Sequence, residues 1–190
     1  MLTLVRLTLV SGLLLTLTPL GIAPRPGASA GEQPQGEEKG FRPVFNLPKP
    51  EAINWIFLGK GRWGIGPDDT IFASDGKGWM LTEEEYRDFT LRLEYKLSRG
   101  GNSGVAVRCR PEGDPAHTGL EIQLTDDGDK RPTKHTTGAI WDVVAASKHA
   151  AKPVGQWNDL RITAKGRRLR SPMVTSRMPR FIMRLVSVIK

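Results

Sequence analysis

The chain has 190 residues, a formal net charge of +8 and a single cysteine. This length suits one domain with appendages, and one cysteine excludes an intrachain disulfide, so the fold must depend on its apolar core. Seven Lys and Arg residues and no acidic residue fall within residues 167–190, which leaves the rest of the chain close to neutral. Because that part lacks a basic patch interleaved with aromatic residues, a nucleic-acid partner is not expected.

Residues 1–30 have the pattern of a secretory signal peptide. Arg6 precedes a long apolar run, and Ala28-Ser29-Ala30 is a small-residue cleavage site. Glycine and proline within the run make it a weak transmembrane helix, although an uncleaved anchor is the alternative. We therefore expect export to the periplasm or the extracellular space without membrane insertion after cleavage. Residues 31–40 form a polar linker.

The body of the chain, residues 41–166, has the hydrophobic pattern of antiparallel strands. Apolar and polar residues alternate strictly over residues 89–97, which predicts a strand with one buried face. The same period predicts strands in VAVRC, LEIQLTDD, GAIWDVV and WNDLRITAKG. Thr82, with Glu85 three residues later, predicts a capping box on a short helical turn. Since no stretch keeps a helical period, the sequence predicts an all-β antiparallel sandwich.

Two neighbouring predicted strands carry polar residues on the faces turned away from the core. Arg108 lies on the first strand, and Glu121 and Gln123 lie on the second. If the strands pair, a cation, a carboxylate and an amide share one surface, which suits a polyhydroxyl ligand. A solvated cross-strand ion pair of little energetic value is the alternative. Cys109, two residues after Val107, is predicted to face the core.

The loops carry further candidates. GGNSG, residues 100–104, precedes a strand and is not followed by lysine, so it predicts a turn with positive φ and local hydrogen bonds from Asn102 and Ser103 rather than a phosphate loop. Three aspartates follow LEIQLT and could bind a hard cation, but the glutamate that closes a calcium loop is missing, and a turn is the better interpretation. They are Asp126, Asp127 and Asp129.

Histidine and tryptophan side chains complete the set of candidates. His135 lies just before a predicted strand at the rim of the sandwich and is a candidate acid, base or metal ligand. Trp141 would either stack on a sugar ring or pack in the core. His117 and His149 lie in loops and are predicted to be surface residues.

Several ordered segments resemble one protein family. GWMLTEEEYRDFTLRLEYKLSRGGNSGVAVR, GDPAHTGLEIQLTDD and TTGAIWDVVAASKHAAKPVGQWNDLRITAKG are similar to the 3-keto-disaccharide hydrolase domain family, over residues 41–166. The resemblance implies a concanavalin- or laminin-G-like jelly roll that takes an oligosaccharide or glycoside. It implies cleavage of glycosides oxidised at C3, by hydrolysis or elimination. A ketone at C3 acidifies the proton on C2, so the reaction needs a base and a group that stabilises the enolate.

The resemblance also implies roles for the candidate residues. Glu121 or His135 would be the base, and Arg108 or a bound divalent metal would stabilise the enolate. That metal is the one possible cofactor, and the aspartates noted above, Asp126 and Asp127, are its candidate ligands. The residues that would bind the sugar are Asn102, Ser103, Gln123 and Trp141. A carbohydrate-binding module without catalysis is the alternative, since one fold can serve either purpose.

The tail, residues 167–190, departs from the family pattern. Family members continue with further strands and commonly an Asn-Gly turn, whereas this tail is uniformly basic. FIMRLVSVIK fits a strand on the sandwich edge or a basic amphipathic helix. We therefore expect a sandwich that is incomplete at its C-terminus, from a frameshifted or truncated gene; a genuine divergent ending is the alternative.

Overall fold

The computed structural model describes residues 3–10, 42–44, 55–66, 70–128, 130–149, 151–172, 174–177 and 184–189. Within these residues the chain forms thirteen β-strands and one helical turn. The all-β antiparallel sandwich predicted from the sequence is confirmed. None of the helical structure in this part of the chain has the length and apolar character needed to span a membrane.

The larger sheet contains eight strands, all in antiparallel pairs. Seven follow one another in the order β12 (Val174–Arg177), β11 (Arg168–Ser171), β10 (Asn158–Lys165), β7 (Phe89–Leu97), β1 (Thr3–Val10), β5 (Ile71–Ser74) and β4 (Arg62–Ile65). The remaining strand, β2 (Arg42–Pro43), pairs with β1.

The smaller sheet contains five strands and carries the candidate site. Their order is β3 (Trp55–Gly59), β6 (Gly78–Glu85), β13 (Arg184–Ile189), β8 (Asn102–Cys109) and β9 (Leu120–Thr125). The helical turn α1 (Pro115–Thr118) lies in the connection between β8 and β9. Its N-cap is Asp114, whose carboxylate accepts a hydrogen bond from the Ala116 amide at 3.0 Å.

The two sheets pack face to face around one apolar cluster. All five apolar residues of β7 are buried, as the alternation predicts, and every second residue of β10 is buried beside them. From the smaller sheet, Val105, Val107 and Ile122 reach the same cluster. Each such side chain stabilises the fold by about 1.5–3 kcal/mol on burial. The described inward side chains of β8 and β9 are thereby buried in the core, so the polar groups of the smaller sheet are sought on its outer face.

Two local predictions are wrong. Thr82 lies inside β6, where its hydroxyl donates to the Glu84 carbonyl at 2.9 Å, so it does not cap a helix. GAIWDVV does not form a strand, because the chain turns at Asp142, whose φ is +59°. Only Ile140 and Val144 in that segment form isolated bridges.

Parts of both predicted appendages belong to the sheets. Residues 3–10 of the predicted signal peptide form β1 between β5 and β7, while most of residues 1–30 and the whole linker lie outside the described residues. In the tail, FIMRLVSVIK contributes β13, which lies inside the smaller sheet rather than at its edge. Signal cleavage and an altered gene end both stay predictions.

Candidate functional site

The outer face of the smaller sheet presents Glu121 and Gln123, as the sequence predicts. Residues directly opposite on paired strands point to the same side of a sheet. Ala106 lies opposite Glu121, and Gly104 lies opposite Gln123. Both polar side chains are nonetheless buried, at 1% exposure for Glu121 and 3% for Gln123. The outer face is therefore no ordinary solvated surface.

Apolar side chains account for part of this burial. Trp79, Leu81, Ala106 and Cys109 form a second apolar cluster, against which Ala116 of α1 packs. The register across β6, β13 and β8 aligns Trp79 with Gly104 and Leu81 with Ala106, so this cluster shares the outer face with Glu121. A carboxylate beside apolar surface is the arrangement in which a base loses its water shell and can act on a bound substrate.

Gly104 makes room for the Glu121 carboxyl. A Cβ atom at position 104 would lie 2.7 Å from Glu121 Cγ and 2.9 Å from its Cδ, closer than real Cβ contacts allow. The last glycine of GGNSG is thus explained by the outer face rather than by the turn. Gly100, with φ of +69°, makes the turn itself.

Gln123 and Asn102 form a hydrogen-bonded pair on this face. Gln123 Nε2 donates to Asn102 Oδ1 at 2.9 Å. Among the residues that the structure describes, no donor reaches the buried Gln123 Oε1. Buried acceptors are nearly always satisfied, so this oxygen needs a partner other than the side chains that the structure describes.

Trp141 lies beside Glu121, and two histidines contact its ring. The Trp141 amide donates to the Glu121 carbonyl at 2.8 Å. The neighbouring bridge between Ile122 and Ile140 turns Ile140 toward the core and Trp141 toward the outer face. The ring centroid of Trp141 is 5.7 Å from that of His117 and 6.1 Å from that of His135.

His117 is a site residue that the sequence analysis missed. It is exposed, as predicted for a surface loop, but α1 brings it against Trp141. Each histidine lies 3.4 Å from an aspartate, His117 from Asp114 and His135 from Asp142. The only sequence feature that could have revealed the position of His117 is Asp114-Pro115, which marks the start of the short helix that carries it.

Arg108 does not lie on the outer face, so this prediction is wrong. Its φ of +60° breaks the alternation at the end of β8. The guanidinium donates to the Gly166 carbonyl in the turn of the larger sheet. Burial lowers the pKa of Arg108 below its ordinary value, an effect that Asp88 opposes. The same reversal puts Cys109 on the outer face instead of in the main core.

Ser103 does not lie on the outer face either. It is opposite Leu124 on the inner face and is fully buried. Alternation along β8 turns Asn102 and Gly104 outward and Ser103 inward, so the two polar residues of GGNSG cannot share one surface. Of the predicted sugar-binding residues, Asn102, Gln123 and Trp141 lie together.

The aspartates after β9 brace loops. Asp126 Oδ2 accepts the Gly100 amide at 2.8 Å, and Asp127 Oδ2 accepts the Thr137 amide at 2.7 Å. No group of three or more His, Cys, Asp or Glu side chains suited to a metal occurs within the described ranges, and Asp129 lies outside them. The metal stays a prediction, without a ligand set to support it.

A cavity of about 230 Å³ opens beside Asp127, where β7 and β9 end and β10 begins. Tyr95 of β7 lines it at 2% exposure. Burial raises the pKa of the Tyr95 hydroxyl far above its ordinary value, and the negative charge of Asp127 adds to the effect. Tyr95 is therefore a neutral phenol at any physiological pH.

This pKa predicts a loss of stability in alkali. Above pH 10, tyrosine ionises in the unfolded chain but not at position 95 of the folded chain, so the free energy of unfolding falls by up to about 1.4 kcal/mol per pH unit. We expect Tyr95→Phe to reduce this slope in urea unfolding between about pH 9 and pH 11. The comparison is between the wild type and Tyr95→Phe in the same buffers, so that every other titrating group is unchanged. Equal slopes in the wild type and Tyr95→Phe would contradict the prediction.

The outer face of this antiparallel sandwich thus groups a carboxylate, an amide pair and an aromatic ring. The chain belongs to the family of 3-keto-alpha-glucoside-1,2-lyase-like domains, whose model matches residues 40–175. The resemblance read from the sequence is thus confirmed. The match runs nine residues beyond residue 166, through β11.

Three known proteins resemble this chain at low sequence identity. A 3-keto-disaccharide hydrolase of Bacteroides thetaiotaomicron is 26% identical over 108 residues, which cover 47% of this chain and 37% of that protein. The chain therefore spans little more than a third of that relative. A crystal structure of a candidate glycosyl hydrolase from Parabacteroides distasonis superimposes with a TM-score of 0.52 at 22% identity, over 72% of this chain and 94% of that one. The carbohydrate-binding module CBM66 of Bacillus subtilis gives a TM-score of 0.48 at 14% identity, over 70% and 91%.

Proposed function

We propose that this protein binds a glycoside on the outer face of its smaller sheet and cleaves glycosides oxidised at C3, with Glu121 as the base. The observation that carries the proposal is the position of the Glu121 carboxyl, held over Gly104 and next to Trp141. The family is named after a 1,2-lyase of 3-keto-α-glucosides, and the Bacteroides relative is named a hydrolase. Both reactions begin with removal of the proton on C2.

The proposed chemistry follows from the ketone. Glu121 takes the proton from C2, and the electron pair of the C–H bond moves to the C3 carbonyl to form an enolate. The enolate collapses to an enone, and the bond from C1 to its substituent breaks, so that the leaving oxygen keeps the electron pair and takes a proton. Addition of water to the enone completes a net hydrolysis; release of the enone is the lyase outcome.

The surrounding residues fit supporting roles. Gln123 Oε1 would accept a hydrogen bond from a sugar hydroxyl, and Asn102 holds the amide in place. Trp141 offers an aromatic surface to the ring. His117 and His135, on either side of Trp141, are the candidates to donate to the enolate or protonate the leaving group, since Arg108 lies elsewhere.

Binding without catalysis is the second candidate. Gln123 Oε1, which no described donor reaches, and the Trp141 ring would serve a carbohydrate-binding module equally well, because neither requires a reaction. Glu121 separates the two proposals, since a binding module needs no buried base beside its ligand.

One assay separates the two functions. Purified protein is incubated with p-nitrophenyl 3-keto-α-glucoside and, in parallel, with the unoxidised glucoside. We expect nitrophenol release from the keto form alone, because only its C2 proton is acidic. Binding of either sugar without release would identify a binding module. If the protein neither binds nor cleaves either sugar, both functions are contradicted.

We also propose that the protein works after export, which residues 1–30 support by their signal-like pattern. Removal of those residues would take β1 out of the larger sheet, so that β5 and β7 lose the strand between them. An N-terminus near residue 31 in protein recovered outside the cytoplasm would support export with cleavage. Retention of Met1 in that protein would favour the uncleaved anchor, and recovery from the cytoplasm alone would contradict export.

A further inference from the structure

The cavity at the end of the sandwich is separate from the outer face. Its wall combines polar groups with the apolar residues Leu97, Ala151, Pro153 and Val154. Its volume of about 230 Å³ is below the roughly 300–1,000 Å³ of pockets for drug-sized ligands. A single sugar ring is therefore a better match than a disaccharide.

The Tyr95 hydroxyl lacks a hydrogen bond to any residue that the structure describes, although the side chain is 2% exposed. By contrast, the hydroxyl of Tyr86 donates to Glu84 Oε2 at 2.8 Å. Buried tyrosine hydroxyls usually find a partner. The open cavity beside Tyr95 is the place from which such a partner can come.

Asp127 and His149 face the same cavity. Asp127 is 3% exposed, and its Oδ1 lies 3.2 Å from His149 Nε2. Lys152 also lines the cavity, and its Nζ is held by the Trp157 carbonyl, to which it donates at 2.8 Å. The cavity thus offers a phenol that donates, beside a carboxylate whose Oδ2 accepts the Thr137 amide and whose Oδ1, next to His149, can accept a further hydrogen bond.

These groups select the ligand by its hydrogen bonds. An anion could accept from Tyr95 but would be repelled by Asp127, and an ammonium group could only donate. A hydroxyl does both, since it carries one donor and two acceptor sites. The apolar part of the wall suits the C–H face of a ring.

We propose that this end cavity is a second saccharide site, which holds one hexose ring through hydroxyls placed between Tyr95 and Asp127. The site does not depend on the reaction proposed for the outer face. Its occupant would be a terminal sugar of a longer glycan or a single released ring.

The test is a titration of the ¹⁵N-labelled full chain with methyl α-glucopyranoside, which is unoxidised and cannot turn over. We expect saturable amide shifts at Thr125, Gly128 and Lys152, with an affinity that Tyr95→Phe weakens about three- to tenfold. Tyr86→Phe is the matched control and should leave the affinity unchanged.

Each other outcome overturns the proposal. Shifts confined to Glu121 and Gln123 would place the sugar on the outer face alone. If the shifts at the cavity occur with the same affinity in Tyr95→Phe, the Tyr95 hydroxyl does not contribute to binding. Absence of shifts at a concentration that saturates a millimolar site would show that the cavity does not bind the sugar. Since the ligand is unoxidised, none of these results depends on catalysis.

Discussion

Replacement of Glu121 by glutamine is expected to lower kcat with a 3-keto-glucoside by about 10²- to 10⁴-fold, which is the usual contribution of a general base. Glutamine has nearly the same shape but cannot take the C2 proton. The buried side chain keeps its place over Gly104, so the variant should fold like the wild type. The measurement is nitrophenol release under saturating substrate.

Glu83→Gln is the matched control for this variant. Glu83 lies on β6 of the same sheet and is exposed, so its loss should leave kcat unchanged. Retention of full activity by Glu121→Gln would exclude Glu121 as the base. His135 would then be the remaining predicted base.

Gly104→Ala is expected to lower kcat by about 100-fold without touching a reacting group. The new Cβ would overlap the Glu121 carboxyl and push it aside, and displacement of a catalytic group by about 1 Å costs that much. Overpacking should also reduce the free energy of unfolding by about 1–3 kcal/mol. Kinetics and urea unfolding of the single variant measure both effects.

A double-mutant cycle tests whether overlap with Glu121 causes the loss of stability in Gly104→Ala. In a Glu121→Ala background the overlap disappears, and alanine in a strand is about 0.4–1 kcal/mol better than glycine. The effect of Gly104→Ala on stability should therefore change sign in that background. The same loss of stability in both backgrounds would show that something other than Glu121 occupies the space.

Much of the fold could be predicted because alternation in β7 and β10 extends over whole strands. A period of two that persists for eight or nine residues leaves one way to bury the apolar side, and the structure follows it at every position of β7. The placement of Glu121 and Gln123 on the outer face came from the same reasoning. These parts depend only on local geometry.

The errors come from single residues with unusual backbone angles. Arg108 and Asp142 have positive φ although neither is glycine, and each reverses the direction in which the next side chains point. No composition or spacing signals such a position in advance. His117 and Tyr95 were missed for another reason, since their significance depends on partners far along the chain.

The reversal at Arg108 also provides a reporter. It puts Cys109, the only thiol of the chain, under Ala116 at the margin of the outer face. Because the sulfur is buried with Trp79, Leu81 and Ala106, alkylation requires this cluster to open, so the rate of alkylation reports that opening. The protein thus carries a natural single-site probe of the outer face on which we propose that the glycoside binds, with no engineered label required.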